Sequence, residues 1–372
     1  MTAPAPESPT AIERVFYPPV AQRWGLRALL SPLTVVSWAY ASAVGLRGAL
    51  YDWGVLRAER VEGLRVVSVG NLNVGGTGKT PAVLHLADLL VREGRKVGIL
   101  TRGYGRRSQE PVTFTGAGPL PSVEDAGDEP LLLARRCPSV RLFVGADRVT
   151  SAYRARDEFG LDTVLLDDGF QHRRLARDED LIVLDEAVGL GNGHMLPRGP
   201  LREPPSSLRR ATLLWVRTSA AVGSGASALV TTPSRLPDEG AGLPRVLTRY
   251  GPTAWVDPSG GLLPPEALRG QRVLALAGLA RPGGFLKTLR SLGVEVEESA
   301  LFADHHRFTP GELRDVESRA RQGGLRIVTT EKDAVRLPAG FEAWVVRLGV
   351  EVLEGESHLR RALGLAGMPD GL

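Results

Sequence analysis

The stretch LRVVSVGNLNVGGTGKTP, Leu64 to Pro81, limits what this chain can fold into more than any other part of it. Leu64–Val69 is a short β-branched apolar run, the pattern of a strand buried on both faces of a parallel sheet. Gly75, Gly76 and Gly78 then crowd a turn, and beyond Pro81 the residues Leu84, Leu86, Ala87, Leu90 and Val91 fall on a helical period. Strand, glycine-rich turn and helix, in that order, make the setting of a phosphate-binding loop. Glycines let backbone N–H groups turn inward, and the helix N-terminus adds partial positive charge. The candidate nucleotide-binding residues are Asn73, Gly75, Gly76, Thr77, Gly78, Lys79 and Thr80. Lys79 can reach the β- and γ-phosphates, and the Thr80 hydroxyl can ligate Mg²⁺. Asn73 stands where the usual pattern has its first glycine.

A second strand, Lys96–Thr101, follows the helix and implies a right-handed parallel crossover. It ends in TRGYGR, and ligands lie at the carboxyl ends of such strands, so Arg102 and Arg106 are candidate phosphate or substrate contacts. Asp128-Glu129-Pro130 opens an apolar helix. Asp128 reads either as a helix N-cap or as half of an acid pair near metal and acceptor. Thr163–Leu166 is another buried strand, closed by Asp167-Asp168, the arrangement in which a strand-end carboxylate holds Mg²⁺. Adjacent carboxylates on a strand face different ways, so one of the two approaches the metal. Gln171 can orient a ligand, and His172, Arg173, Arg174 and Arg177 form a cationic cluster. After a strand at Leu181–Leu184, a long Gly/Pro loop carries Arg198, Arg202, Arg209 and Arg210 and reads as an acceptor-binding lid.

Composition closes off other classes. A single cysteine, Cys137, excludes an intramolecular disulfide framework and a Cys-cluster zinc site. The net charge of +4 is matched by six arginines against two acids between Arg14 and Arg60, which is not the basic face of a nucleic-acid binder. Lysine is confined to Lys79, Lys96, Lys287 and Lys332, so each lysine draws notice. Residues 1–13 lack the basic start of a signal peptide. Ala28–Leu46 carries no charge and would reach roughly 28 Å as a helix, but Pro32, Gly45, Thr34 and three serines dilute it. Phe16, Tyr17, Trp24, Trp38, Tyr40, Tyr51 and Trp53 crowd the same region. Aromatics and arginines prefer the headgroup boundary, so the expectation is an interfacial, monotopic helix pair, with packing on the domain's own core as the alternative.

Downstream, Ala220–Ala241 reads as a linker and Val246–Asp257 as strand-like. A strand at Arg272–Ala277, helices at Phe285–Leu292 and Pro310–Gln322, a strand near Val294 and another at Leu325–Thr329 make a second small α/β unit. The turn after Ala277 lacks dinucleotide-loop spacing, and TEKD at Thr330–Asp333 lacks the pattern of a guanine-reading loop.

Taken together, GNLNVGGTGKTP, TRGYGR, GDEP, DDGFQHRRLARD, LPRGPLREP, FADHHRFT and TTEKDAVRL resemble the tetraacyldisaccharide 4′-kinases, the lipid A 4′-kinases, from about residue 14 to 350. The resemblance implies a P-loop NTPase-like parallel-sheet core, a second smaller α/β domain and an N-terminal membrane-interfacial segment. The implied divisions are 1–58, 59–222, a hinge at 223–267, 268–354 and a tail at 355–372. It implies ATP- and Mg²⁺-dependent phosphorylation of the lipid A disaccharide 1-phosphate at its 4′-hydroxyl, on the cytoplasmic face of the bacterial inner membrane. By the same resemblance Asp128 is the general base, Glu129 its metal-side neighbour, and Asp167, Asp168 and Gln171 the metal-side set. His305 or His306 supports the base, with His305 favoured, and closure of the second domain assembles the site. The substrate-binding candidates are Arg102, Arg173, Arg198 and Arg202. A membrane-associated switch ATPase without a phosphoryl acceptor is the alternative.

Overall fold

The computed structural model describes residues 15–17, 31–76, 78–218, 240, 242–279 and 282–365. In chain order the elements begin with helix α1 (Ser31–Asp52), strand β1 (Arg65–Gly70), α2 (Lys79–Arg92), β2 (Val97–Thr101) and β3 (Val112–Thr115). The short α3 (Val123–Ala126), α4 (Asp128–Arg136), β4 (Arg141–Val144), α5 (Arg148–Asp157), β5 (Thr163–Asp167), β6 (Glu179–Asp185) and β7 (Leu213–Arg217) follow. The remainder is β8 (Arg245–Val256), β9 (Leu262–Leu263), β10 (Arg272–Gly278), α6 (Pro282–Ser291), β11 (Glu295–Phe302), α7 (Pro310–Gly323), β12 (Arg326–Thr330), α8 (Glu331–Ala334), β13 (Trp344–Glu354) and α9 (Glu356–Ala362).

Two compact units emerge. The first holds the described residues of 9–102, 146–249 and 351–372, the second those of 103–145 and 250–350. Residues 103–145, which the sequence groups with the nucleotide loop, fall in the second unit.

In the first unit the strands run β8-β7-β6-β1-β5-β2, all parallel. β1 and β2 are joined through α2 as the sequence implies, but they are not neighbours: β5 lies between them. Its register puts Val69 beside Asp167, so the turn after β1 and the carboxylates after β5 leave the sheet at one edge. Gly70 is needed at that edge, because a Cβ there would sit 2.5 Å from the Phe170 Cβ and 2.8 Å from the Phe170 nitrogen. The Gly/Pro loop is not an open lid. Met195, Leu201 and Leu208 are buried in the core with Leu72, Phe170 and Ile182, and Val74 N–H donates to the Pro200 carbonyl at 2.8 Å. Its apolar residues hold it down.

In the N-terminal region the described residues hold α1 and the helical residues Val15 and Phe16; Trp24 and the linker residues 220–239 lie outside them. α1 packs Tyr40, Ala41 and Val44 against the same core, and Ser37 Oγ donates to the Met195 carbonyl at 2.9 Å. The opposite side leaves Val35, Val36, Trp38 and Leu46 exposed. Among the described residues no helix is long and apolar enough to cross a membrane.

The second unit carries the parallel order β11-β10-β12-β13, with an antiparallel β3–β4 pair. β10 is buried on both faces: Val273, Ala275 and Ala277 join one core, Leu274 and Leu276 the other, the two-residue period of a central strand. The chain leaves β10 for one neighbour and returns on its other side, a topological switch point that opens a crevice at the strands' carboxyl ends. The elements expected at 272–277, 285–292, 310–322 and 325–329 all appear within three residues of their observed bounds, and the strand expected near Val294 is β11, which runs on to Phe302.

Gly70→Ala is expected to destabilise the protein by about 1–3 kcal/mol, because the added methyl meets backbone that cannot rotate away. Urea unfolding of the variant against wild type measures it.

Candidate functional site

The glycine-rich turn of the first unit is built as its sequence requires. Gly75 (φ 105°) and Gly78 (φ 89°) occupy left-handed backbone, and Gly78 caps α2. Lys79 is therefore the first residue of the helix, two earlier than Pro81. Its ammonium lies 3.2 Å from Asp168 Oδ1 and donates to Asn71 Oδ1, also at 3.2 Å. Thr80 is half-buried in the same first turn, Gly76 faces open space, and Thr77 lies outside the described residues. Asn73 is buried, and its Nδ2 donates to the Gly189 carbonyl at 2.8 Å, so its side chain braces the turn from outside.

The two aspartates diverge: Asp167 ends β5, and Asp168 lies in the turn just beyond it. Asp167 is buried and accepts from Thr101 Oγ1 at 3.0 Å. Asp168 takes a left-handed conformation (φ 51°), a strain that non-glycine residues carry mostly at functional sites, and it turns to Lys79 and to Arg202 Nη1 at 2.8 Å. Burial pushes its pKa up, but the Lys79 and Arg202 charges outweigh that and hold it below the usual carboxylate range. Gln171 Nε2 donates to the Asn71 carbonyl at 3.0 Å, while its Oε1 is buried without a hydrogen-bond partner. Arg102 is exposed at the end of β2. Arg173 and Arg198 are placed on α1: Arg173 donates to the Gly48 carbonyl at 2.9 Å and to Asp52 Oδ1 at 2.6 Å, and Arg198 reaches Thr34. Arg148, which the sequence did not single out, is buried with its guanidinium 3.3 Å from the Asp167 carbonyl oxygen.

This set suits a polyphosphate and a hard cation. Among the described residues no three His, Cys, Asp or Glu side chains gather as a metal cage. Mg²⁺ needs none, because it takes most of its ligands from phosphate and water with one or two carboxylates. Thr80, Asp168, Asp167 and the orphaned Gln171 oxygen are donors of the right kind.

The second unit supplies the acid–histidine pair. Asp128 is not a cap; Gly127 holds that position, and Asp128 begins α4 with its side chain turned away. Only 5% exposed, it lies with Oδ2 2.9 Å from His305 Nδ1 and 3.4 Å from Arg336 Nε. Burial pushes its pKa up, but the His305 hydrogen bond and the Arg336 and Lys332 charges keep it below the ordinary range. His305 is itself strained, at φ 57°. His306 does other work: its Nε2 lies 3.0 Å from Glu312 Oε2 and its ring stacks on Phe302. Glu129 is half-buried in the same helical turn as Asp128. Arg336 is held by Asp333 and donates to the His306 carbonyl at 3.1 Å and the Gly278 carbonyl at 3.2 Å.

A carboxylate kept ionised beside a histidine can accept a hydroxyl proton. The first unit can grip a triphosphate, the second can take a proton.

Comparison with known proteins gives a single answer. The family model described as tetraacyldisaccharide-1-P 4′-kinase (LpxK) matches residues 27–365. A tetraacyldisaccharide 4′-kinase of Anaeromyxobacter dehalogenans (strain 2CP-C) is 49% identical over 344 residues, 90% of this chain and 89% of the relative. One of Syntrophus aciditrophicus (strain SB) is 41% identical over 82% of this chain and 83% of its own. A crystal structure of LpxK from Aquifex aeolicus in complex with ATP superposes with a TM-score of 0.74 at 33% identity, covering 91% of this chain and 98% of that one.

Lys332 and Arg336 were the residues that sequence reasoning missed in the second unit. Lys332 carried a signal, as one of four lysines; Arg336, among many arginines, carried none. Its side chain is 3% exposed and that of its partner Asp333 fully buried. Arg336→Met is therefore expected to cost about 3–5 kcal/mol by stranding a buried carboxylate. A drop in the urea midpoint shows it, and a shift under about 1 kcal/mol contradicts it.

Proposed function

The chain belongs to the tetraacyldisaccharide-1-P 4′-kinase family, and from that premise we propose how its own residues carry out the reaction. The protein is an ATP-dependent kinase that phosphorylates the 4′-hydroxyl of the tetraacyldisaccharide 1-phosphate precursor of lipid A, giving lipid IVA. The family reaction has a phosphoryl acceptor, which a switch ATPase lacks.

Phosphoryl transfer asks a protein for positioning and charge more than for covalent chemistry. The turn from Asn73 to Thr80 holds the triphosphate, with the N–H groups of Gly75, Gly76 and Gly78 turned to its oxygens. Lys79 leaves Asp168 to meet the β- and γ-phosphates. Thr80 and Asp168 would hold Mg²⁺, with Asp167 and Gln171 at its margin, and the ion would supply positive charge against the charge that develops on the phosphates. Arg102 and Arg202 meet anionic groups of the substrates. Asp128 accepts the 4′-hydroxyl proton late in transfer, while His305 orients it. The observation that carries this reading is the Asp128–His305 contact: a buried, ionised carboxylate with a dedicated histidine has little structural purpose otherwise.

The N-terminal segment docks the enzyme on its lipid. α1 buries one side in the core and leaves Val35, Val36, Trp38 and Leu46 uncovered, with Trp53 and Val55 continuing the patch. A contiguous exposed apolar face of this kind needs a cover, and the acceptor is an amphiphile. ATP is a cytoplasmic nucleotide, so that cover is the cytoplasmic face of the inner membrane.

Lys79→Ala and Asp128→Asn are each expected to lower kcat by about 10²-fold or more, read with radiolabelled ATP, a tetraacyldisaccharide 1-phosphate acceptor and chromatography of the lipid phase. Near-normal turnover of Asp128→Asn would remove it from the base role. Replacing Val35, Val36 and Trp38 together by serine is expected to abolish co-sedimentation with anionic vesicles while leaving the unfolding midpoint near wild type. Unchanged sedimentation would refute docking through α1.

A further inference from the structure

The Asp128–His305 pair has a neighbour that the reaction above leaves without a task. Lys332 Nζ lies 3.2 Å from His305 Nε2 and 3.3 Å from Asp304 Oδ1. An ammonium donates hydrogen bonds and accepts none, so His305 Nε2 must be the acceptor. The ring proton is then on Nδ1, the atom 2.9 Å from Asp128 Oδ2. Two contacts on opposite edges of one imidazole specify the same tautomer.

We propose that Lys332 is a positioning residue that holds His305 as the neutral Nδ1–H tautomer, so that His305 donates to Asp128 and leaves the other carboxylate oxygen for the acceptor hydroxyl. This rests on the reading of Asp128 as the base. The opposite tautomer would set an Nδ1 lone pair against a carboxylate at 2.9 Å and an Nε2–H against the ammonium at 3.2 Å, which is nearer to Nε2 than Asp304 Oδ2 at 3.8 Å.

Burial does not impose this tautomer unaided: the His305 side chain is 30% exposed and that of Lys332 25%. The histidine side chain free in water leans to the Nε2–H form, so a fixed partner is needed on the Nε2 side. Asp304 completes the clamp. Its Oδ1 accepts from both Lys332 Nζ and the His305 backbone N–H, the latter at 3.1 Å, and so ties the ammonium to the strained backbone that aims the ring. Arg336 lies 3.4 Å from Asp128 Oδ2 and gives its other donors to the His306 and Gly278 carbonyls and to Asp333, so it serves the carboxylate rather than the ring.

The test is nitrogen NMR of the full-length chain labelled with ¹⁵N-histidine. With six histidines the spectrum is sparse, and His305→Gln assigns the ring in question. Wild type is expected to show His305 protonated at Nδ1 and bare at Nε2. Lys332→Met is expected to move those shifts toward an averaged or Nε2–H ring. It should also lower kcat by about tenfold or more while leaving KM for ATP within about twofold. Lys332→Arg, which also only donates, should restore the wild-type ring pattern. An Nε2–H ring in wild type, or ring shifts unmoved by Lys332→Met, would overturn the proposal. If Asp128→Asn turns over normally the base assignment fails, and the ring spectra still decide the role of Lys332.

Discussion

Val69 and Asp167 lie side by side in parallel strands, and the first unit is arranged around that register. It forces the turn after β1 and the carboxylates after β5 out of the sheet at the same edge. There the end of β1 approaches Phe170 so closely that only glycine fits at position 70. With the strands fixed, Lys79 and Asp168 need only their own lengths to meet. The loop from Met195 to Leu208, whose backbone is bonded to Val74, walls the turn on its other side. A grip on phosphate thus costs the fold little beyond what a parallel sheet already supplies: strand ends, helix N-termini and crossovers that keep both faces dry.

The second unit reaches its chemistry by the same topology with different residues. β10 is flanked on both sides, and the segments after β10, β11 and β12 bring Gly278, His305 and Lys332 to one end of the sheet. Asp128 arrives there from α4, at the first residue of a helix, where the N–H dipoles also favour an anion. In both units a key carboxylate stays ionised against burial because cations outweigh it: Lys79 and Arg202 at Asp168, Arg336 and Lys332 with the His305 hydrogen bond at Asp128.

How far the sequence discloses all this depends on whether a signal is local. β1, the glycines, Lys79 and the β5 carboxylates are contiguous or carry a strong period, so residue types and spacing alone place them. Strand alternation predicts that Asp167 and Asp168 diverge, and they do, although Asp168 does so from left-handed backbone just past the end of β5. Asp128 is the opposite case. Spacing leaves it open between a cap and an acid, because the contact that decides lies 177 residues away at His305. His306 sits next to His305 and is as polar, yet stacking on Phe302 and bonding to Glu312 give it to the scaffold. Arg173 and Arg198 look like substrate contacts by composition. Their guanidinium groups meet α1 because of a tertiary approach that no local pattern encodes. The segment that reads as a lid is misjudged for a related reason: glycine and proline content records backbone irregularity, not exposure.

α1 shows the same ambiguity from the side of the solvent. A helix that is apolar all round is ordinarily either fully buried or within a bilayer. This one has polar breaks where it meets protein, with Ser37 donating to the Met195 carbonyl and Tyr40 to that of Arg202, and is apolar where it meets nothing. Core packing on one side and an uncovered surface on the other therefore use similar residues on one cylinder, and hydrophobic periodicity cannot separate them. What separates them is the arginine set. Arg47 donates to the Gln171 carbonyl and Arg173 to the Gly48 carbonyl, both on the protein-facing side, which fixes the roll of the helix and so which residues are left outward. The same Gln171 bonds the Asn71 carbonyl at the start of the nucleotide turn. Helix placement and the turn thus share one residue, Gln171, the first through its backbone carbonyl and the second through its side chain.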